Sequence, residues 1–238
     1  MLNTRGVQIT WLGHAAFRMR SAGETFYFDP FLTSNPKCPE AEKTPSQADV
    51  ILLSHGHMDH IGDAAPLAQR TGANVVAMVE LAGYLGRKGV PAGNIRAMNK
   101  GGTVEVAGAK VTMVHALHSS SVEEGGQTVY LGEPAGYIVK FQEGLTIYFA
   151  GDTDVFSDMR LIAEIYRPDV AILPIGDFYT MGPLQAAHAC RLLGVKTVIP
   201  MHYGTFPVLT GTPAELKRFL GEAGTPCEVT EMTPGQTL

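Results

Sequence analysis

Ser54-His55-Gly56-His57-Met58-Asp59-His60 places three histidines and an aspartate within six residues, and its reading decides the fold. Before it runs Asp49-Val50-Ile51-Leu52-Leu53, a short apolar stretch that reads as a buried strand. After it, Ile61-Gly62-Asp63 through Arg70 reads as a helix start, with Asp63 as N-cap and Pro66 in the first turn. The cluster therefore falls at the carboxyl end of a strand, on the turn into a helix, where open α/β layers place ligands. Imidazole and carboxylate donors suit Zn²⁺, Fe²⁺ or Mn²⁺. His55 and His57 are two apart, so in an extended turn they point the same way and chelate one ion. Asp59 and His60 then face a second position, and Gly56 lets the backbone bend between the first two histidines. The plain alternative is a solvated His-rich loop.

Outward toward the N-terminus the chain reads as all-β. Val7–Leu12, Ala15–Arg20 and Thr25–Phe28 follow one another at hairpin spacing, and Asp29-Pro30 ends the third strand. His14, between the first two, is either a turn histidine or a residue facing the cluster. Residues 31–47 are rich in Pro, Ser, Asn and Lys and read as a functional loop.

Toward the C-terminus, Asn74–Met78 reads as a strand and Glu80–Arg87 as a short helix. Thr103–Val106 and Lys110–Val114 read as a hairpin through Ala107-Gly108. His115 and His118 follow, and their spacing does not choose between them. Residues 119–134 read as a mobile loop at a substrate rim. Ala135–Phe141 and Leu145–Ala150 form another hairpin, closed by Gly151-Asp152-Thr153. A carboxylate placed there can bridge two cations, or it can cap the helix expected from Asp158 to Tyr166. Val170–Ile175 is a buried strand leading to Asp177 and Tyr179. The helix Pro183–Leu193 begins with proline at its first position. Strand Lys196–Pro200 leads to His202, again at a strand end. His188, mid-helix with polar neighbours, reads as a surface residue. A helix over 213–221 and an edge strand near Cys227–Val229 complete the pattern, which by periodicity alone is α/β or α+β.

The 238 residues fit one large domain, and 45% hydrophobic content is ample for a core. The net charge of −5, with no run of Lys or Arg, lacks the electrostatic footprint of a nucleic-acid binder. No apolar run is long enough to span a membrane, and the N-terminus lacks a signal peptide's apolar segment. Three widely spaced cysteines, Cys38, Cys190 and Cys227, read as free thiols in a cytoplasmic protein, Cys190 as part of the core.

The His-rich stretch, with Trp11-Leu12-Gly13-His14 and His202-Tyr203-Gly204-Thr205-Phe206 at either end of the matching region, resembles the metallo-β-lactamase superfamily. Phe28-Asp29-Pro30-Phe31-Leu32-Thr33, Pro174-Ile175-Gly176-Asp177 and Met181-Gly182-Pro183 make it similar to the stand-alone metal-dependent hydrolases, among them L-ascorbate-6-phosphate lactonase. The resemblance implies a four-layer αββα sandwich, with two stacked mixed sheets and outer helices, forming one domain over residues 1–238. It implies two divalent ions, zinc first, with manganese or iron as alternatives. His55, His57 and His118 would hold one ion, Asp59, His60 and His202 the other, with Asp152 bridging them. His118 is taken over His115 because of the serines that follow it. Asp29 would buttress the metal loop from behind. A hydroxide between the ions would cleave an ester, lactone or phosphodiester, oriented by Asp59. His14, Asp177 and Tyr179 are the candidates for a leaving-group acid or substrate contact. An anionic small molecule and a homo-oligomer are both compatible with this reading. The rival readings are a superfamily nuclease acting on RNA, an iron-dependent redox enzyme on the same ligands, and a metal-stabilised module without catalysis.

Overall fold

The computed structural model describes residues 2–238. The chain opens with β1 (Gln8–Trp11), β2 (Phe17–Ser21), β3 (Glu24–Phe28) and β4 (Val50–Leu52). The helical turn α1 (Met58–Ile61) and helix α2 (Ala64–Thr71) follow, then β5 (Asn74–Met78), α3 (Val79–Arg87) and β6 (Ile95–Met98). Next come β7 (Thr103–Val106), β8 (Ala109–His115), β9 (Ser121–Glu124), β10 (Gln127–Tyr130), β11 (Ala135–Lys140) and β12 (Thr146–Phe149). The last part comprises α4 (Met159–Tyr166), β13 (Val170–Pro174), α5 (Pro183–Leu193), β14 (Thr197–Met201), α6 (Pro213–Glu222) and β15 (Glu228–Val229).

The first sheet runs β1-β2-β3-β4-β5-β6, antiparallel as far as β3 and parallel beyond it. The second runs β15-β14-β13-β12-β11-β8-β7 and repeats the plan, antiparallel from β7 to β12 and then parallel to β15. Aromatic side chains pack the two sheets face to face. Phe149 on β12 meets Phe17 and Phe28 with ring centroids 6.3 and 5.1 Å away, and Phe26 meets Phe141 at 5.3 Å. Strand alternation supplies the second face: Ile147 and Phe149 join this central core, while Tyr148 between them packs outward with Met159, Ile162, Leu193 and Leu216 of the helices. This is the expected sandwich of two mixed sheets with helices outside. Among the described residues, no helix is long and apolar enough to cross a membrane.

At one edge, residues 236–238 lie along β1. Ile9 donates to the Leu238 carbonyl at 3.2 Å and accepts from the Leu238 amide at 2.9 Å, and Trp11 donates to Gln236 at 3.2 Å.

Two local expectations are corrected and one strand is added. Residues 119–134 contain a hairpin, β9–β10, turning at Gly125-Gly126 with φ of 58° and 77°. Its residues are mostly exposed and only Val122 joins the core, so hydrophobic alternation did not reveal it. The same reason hides β6, whose four residues are half-buried or exposed. Asp63 stands at the N-cap position of α2 but makes no capping bond. Its carboxylate instead accepts from the amides of Leu32 at 2.7 Å and Thr33 at 3.0 Å, and from the Thr33 hydroxyl, fixing the 31–34 loop.

Candidate metal centre

The stretch 54–60 leaves β4 and turns directly into α1, so its side chains gather above the carboxyl ends of the strands. Asp29, which follows β3, is fully buried beneath it. One Asp29 oxygen accepts the Ser54 amide at 2.8 Å, and the other accepts the Ser54 hydroxyl and His60 Nδ1 at 2.8 Å. With its hydroxyl proton directed to Asp29, Ser54 Oγ accepts from His55 Nδ1 at 2.9 Å. One carboxylate therefore sets both rings: His55 and His60 each carry a proton on Nδ1 and turn Nε2 into the cleft.

Two groups of donors converge there. His55 Nε2 lies 2.9 Å from His57 Nδ1, which lies 3.3 Å from His118 Nε2. These three rings form one set whose donor atoms all fall within 4.8 Å of one another. His14, Asp59, His60 and His202 form a second set by the same measure. Asp152 stands between the sets. Its Oδ2 is 3.1 Å from His202 Nε2, 3.3 Å from His60 Nε2 and 3.7 Å from His118 Nε2.

These approaches are close but poorly aligned for hydrogen bonds. His60 Nε2, both ring nitrogens of His202 and Asp152 Oδ1 are buried without a hydrogen-bond partner. Buried polar atoms left without partners around common spots are costly in a protein interior unless an ion takes them up. The electrostatics agree. Burial, with His60 beside it, holds His55 well below the usual imidazole range, and burial lowers His57 and His118 too, leaving neutral donors. Burial opposes charge on His60, yet Asp152, Asp29 and Asp59 outweigh it and push that ring well above its usual range. Burial also opposes ionisation of Asp152, but His202 and His60 outweigh it and hold the carboxyl low. The cavity thus favours positive charge, and its N/O donor set fits divalent zinc, manganese or iron.

The second half of the chain reaches this point through stitched strand ends. The Leu117 amide donates to Thr153 Oγ1 at 2.9 Å, Asp154 donates to the Leu117 carbonyl at 3.0 Å, and Met181 donates to Thr153 at 3.1 Å. Gly151, with φ 62°, lies so close to the metal loop that an added Cβ would sit 2.5 Å from Ser54 Cβ. The Ala135 amide donates to Ser54 at 2.9 Å, and Gly56 donates to Ser120 Oγ at 3.1 Å.

His14 faces the cleft. It is fully buried, and burial lowers its pKa to about 4. As a neutral ring it donates from Nε2 to Asp59 Oδ2 at 3.0 Å, and its Nδ1 accepts from Thr205 Oγ1 at 3.0 Å. Its carbonyl accepts the His202 amide at 3.0 Å, joining the first sheet's side of the centre to the last candidate ligand. Burial works to raise the Asp59 carboxyl, but His60 and His14 hold it well below the usual range.

His115 ends β8 on the surface, where Lys100 Nζ lies 3.1 Å from its Nδ1. His188 is exposed beside Arg191. Tyr179 lines the cavity; Asp177 is exposed on the same turn, where its carboxylate accepts the Phe178 amide at 2.7 Å. Asp152 caps no helix, since α4 begins only at Met159. Cys38 is buried and its thiol is pushed up to about 12, chiefly by desolvation. Sequence reasoning missed the supports Ser54 and Thr205. Both lie inside the motifs that were read, but their partners Asp29 and His14 are far away in the chain.

Two stacked mixed sheets with a His/Asp centre at their strand ends define a beta-lactamase superfamily domain, and the model of that family matches residues 8–202. Within the superfamily the chain belongs to the UPF0173 metal-dependent hydrolases. It is 51% identical over 237 residues to a member from Koribacter versatilis, covering 99% of both chains. It is 52% identical to one from Rubrobacter xylanophilus, covering 98% of this chain and 96% of that one. Among solved structures, Igni18, a metallo hydrolase from Ignicoccus hospitalis, superposes with a TM-score of 0.84 at 36% identity, over 98% and 97% of the two chains.

Proposed function

We propose that this metal-dependent hydrolase is binuclear and cleaves an ester, lactone or phosphodiester bond in a small molecule. The observation that carries the proposal is the pair of convergent donor sets with the Asp152 carboxylate between them. His55, His57 and His118 would hold one ion and Asp59, His60 and His202 the other, with Asp152 shared. Zinc fits these donors best, manganese or iron next. Bound divalent ions would make water a nucleophile at neutral pH and polarise the substrate's oxygen.

The chain's own residues do the rest. Asp29 fixes two ring tautomers through Ser54 and His60. Asp59 orients the nucleophile, and His14, held by Thr205, fixes the rotamer of Asp59. His14 is therefore a positioning residue. Tyr179 is placed to touch substrate at the mouth. The resemblance to L-ascorbate-6-phosphate lactonase favours lactone opening within this range. Three free thiols, two of them buried, support a cytoplasmic setting for a hydrolase formed by the whole of residues 1–238.

Plasma mass spectrometry on untagged protein, beside Asp152→Ala, is the test. Two zinc or manganese ions per chain, with one lost in the variant, is the expected result. A single iron indifferent to Asp152 would replace the binuclear hydrolase with a redox reading.

A further inference from the structure

The cavity over the metal centre measures about 760 Å³, room for a small organic molecule. Its floor is polar and is made by the candidate ligands His57, Asp59, His118, Asp152 and His202. Its walls differ in character. Phe31 and Phe206 stand on the Asp59 side, each packed edge-to-face with the His14 ring, at 5.8 and 5.5 Å between centroids. Met58, Tyr179 and Val208 continue the wall to the mouth, where they are 56%, 59% and 40% exposed. A single exposed apolar side chain is ordinary, but three converging on one cavity mouth mark a ligand surface.

The charge in this wall is negative. Asp63 lines the cavity, and its carboxylate is held there by the Leu32 and Thr33 amides and the Thr33 hydroxyl. Among the described residues lining the cavity, none is Lys or Arg. A phosphate or carboxylate carried away from the scissile bond would meet this fixed acid and aromatic edges, an unfavourable exchange for its water shell.

We propose that the substrate is an uncharged carboxylic ester or lactone bearing an apolar group of several carbons, seated against Phe31, Met58, Phe206 and Val208. The proposal rests on the hydrolase reading above and narrows it, retaining the lactone chemistry and excluding a phosphorylated substrate. In the reaction, a water oxygen bonds to the acyl carbon and the bond from that carbon to the alkoxy oxygen breaks. The alkoxide takes a proton, giving one carboxylic acid and one alcohol, or a single hydroxy acid from a lactone.

The test uses metal-loaded protein and p-nitrophenyl acetate, butyrate and hexanoate, beside bis(p-nitrophenyl) phosphate and p-nitrophenyl phosphate. The expected kcat/KM rises about fourfold per added methylene, as burial of alkyl groups requires, and exceeds that of both phosphates at hexanoate. Val208→Asp, at an exposed position, should flatten the chain-length series at least by half. Independently of turnover, titration with 2-octanone should shift the backbone amide signals of Phe31 and Val208 and leave that of His188 in place. A flat series in the native protein, a phosphate preferred over hexanoate, or no shift at Phe31 and Val208 would overturn the ester proposal alone. No turnover of any of the five compounds would overturn the hydrolase reading, and the ester proposal with it.

Discussion

The first sheet brings His55, His57, Asp59 and His60 to the centre on one short stretch after β4, with Asp29 beneath them. The second sheet brings His118, Asp152 and His202 singly, after β8, β12 and β14. Both sheets have the same plan of antiparallel strands followed by parallel ones, so the difference lies in the loops. In the first half, local chain geometry aims the donors, and one buried carboxylate sets two rings at once. In the second half, each donor is aimed by its own strand end; hydrogen bonds tie the ends of β8 and β12 to each other and to the turn after β13, and the His202 amide is tied to the His14 carbonyl. A single support therefore governs much of the first half, whereas the second half has its supports distributed.

Asp29→Ala is the variant with the largest expected effect. It strips a buried acceptor from Ser54 and His60 together, and should lower stability by about 3 kcal/mol in urea denaturation and empty both metal positions. A loss under about 1 kcal/mol with full metal content would show that the loop is held by something else. His60→Ala should follow, because it removes a donor of one position and takes a partner from the Asp29 carboxylate that also sets His55 through Ser54; plasma mass spectrometry should find that ion lost and the other depleted. His118→Ala, from the distributed half, should cost one ion and leave the second. Equal depletion in the two variants would erase the distinction between the halves.

A smaller change is expected from Thr205→Val. It removes the hydroxyl behind His14 without touching a candidate ligand, and kcat should fall about tenfold, the lower end for such supports, with metal content kept. An unchanged kcat would mean that Asp59 needs no positioning from that side. His188→Ala, on the exposed face of α5, should leave metal content and turnover as they are. Any loss of metal there would place a donor far from both sets.

The contrast also explains what the sequence made legible. The first half's donors were plain because they are consecutive: residue types at short spacing are visible in one dimension. Asp152 and His202 each end an apolar run, which strand patterning marks, but their reading as ligands came from the family resemblance. His118 needed the family resemblance, since His115 is as close to the same strand and only the fold turns it outward toward Lys100. The cavity wall was not legible. Phe31, Phe206 and Val208 are ordinary apolar residues in loops, and only tertiary packing gathers them around one cavity, the two phenylalanines against His14. The missed elements, β6 and the β9–β10 hairpin, bury too little of their length for periodicity to register.

The pairing of residues 236–238 with β1 has a practical consequence. Without that short segment, the amides of Ile9 and Trp11 would face outward at the margin of a six-stranded sheet, a template for adding a strand from another molecule. The segment covers that edge of the sheet. Deleting residues 236–238 should favour oligomers and precipitation, read by light scattering.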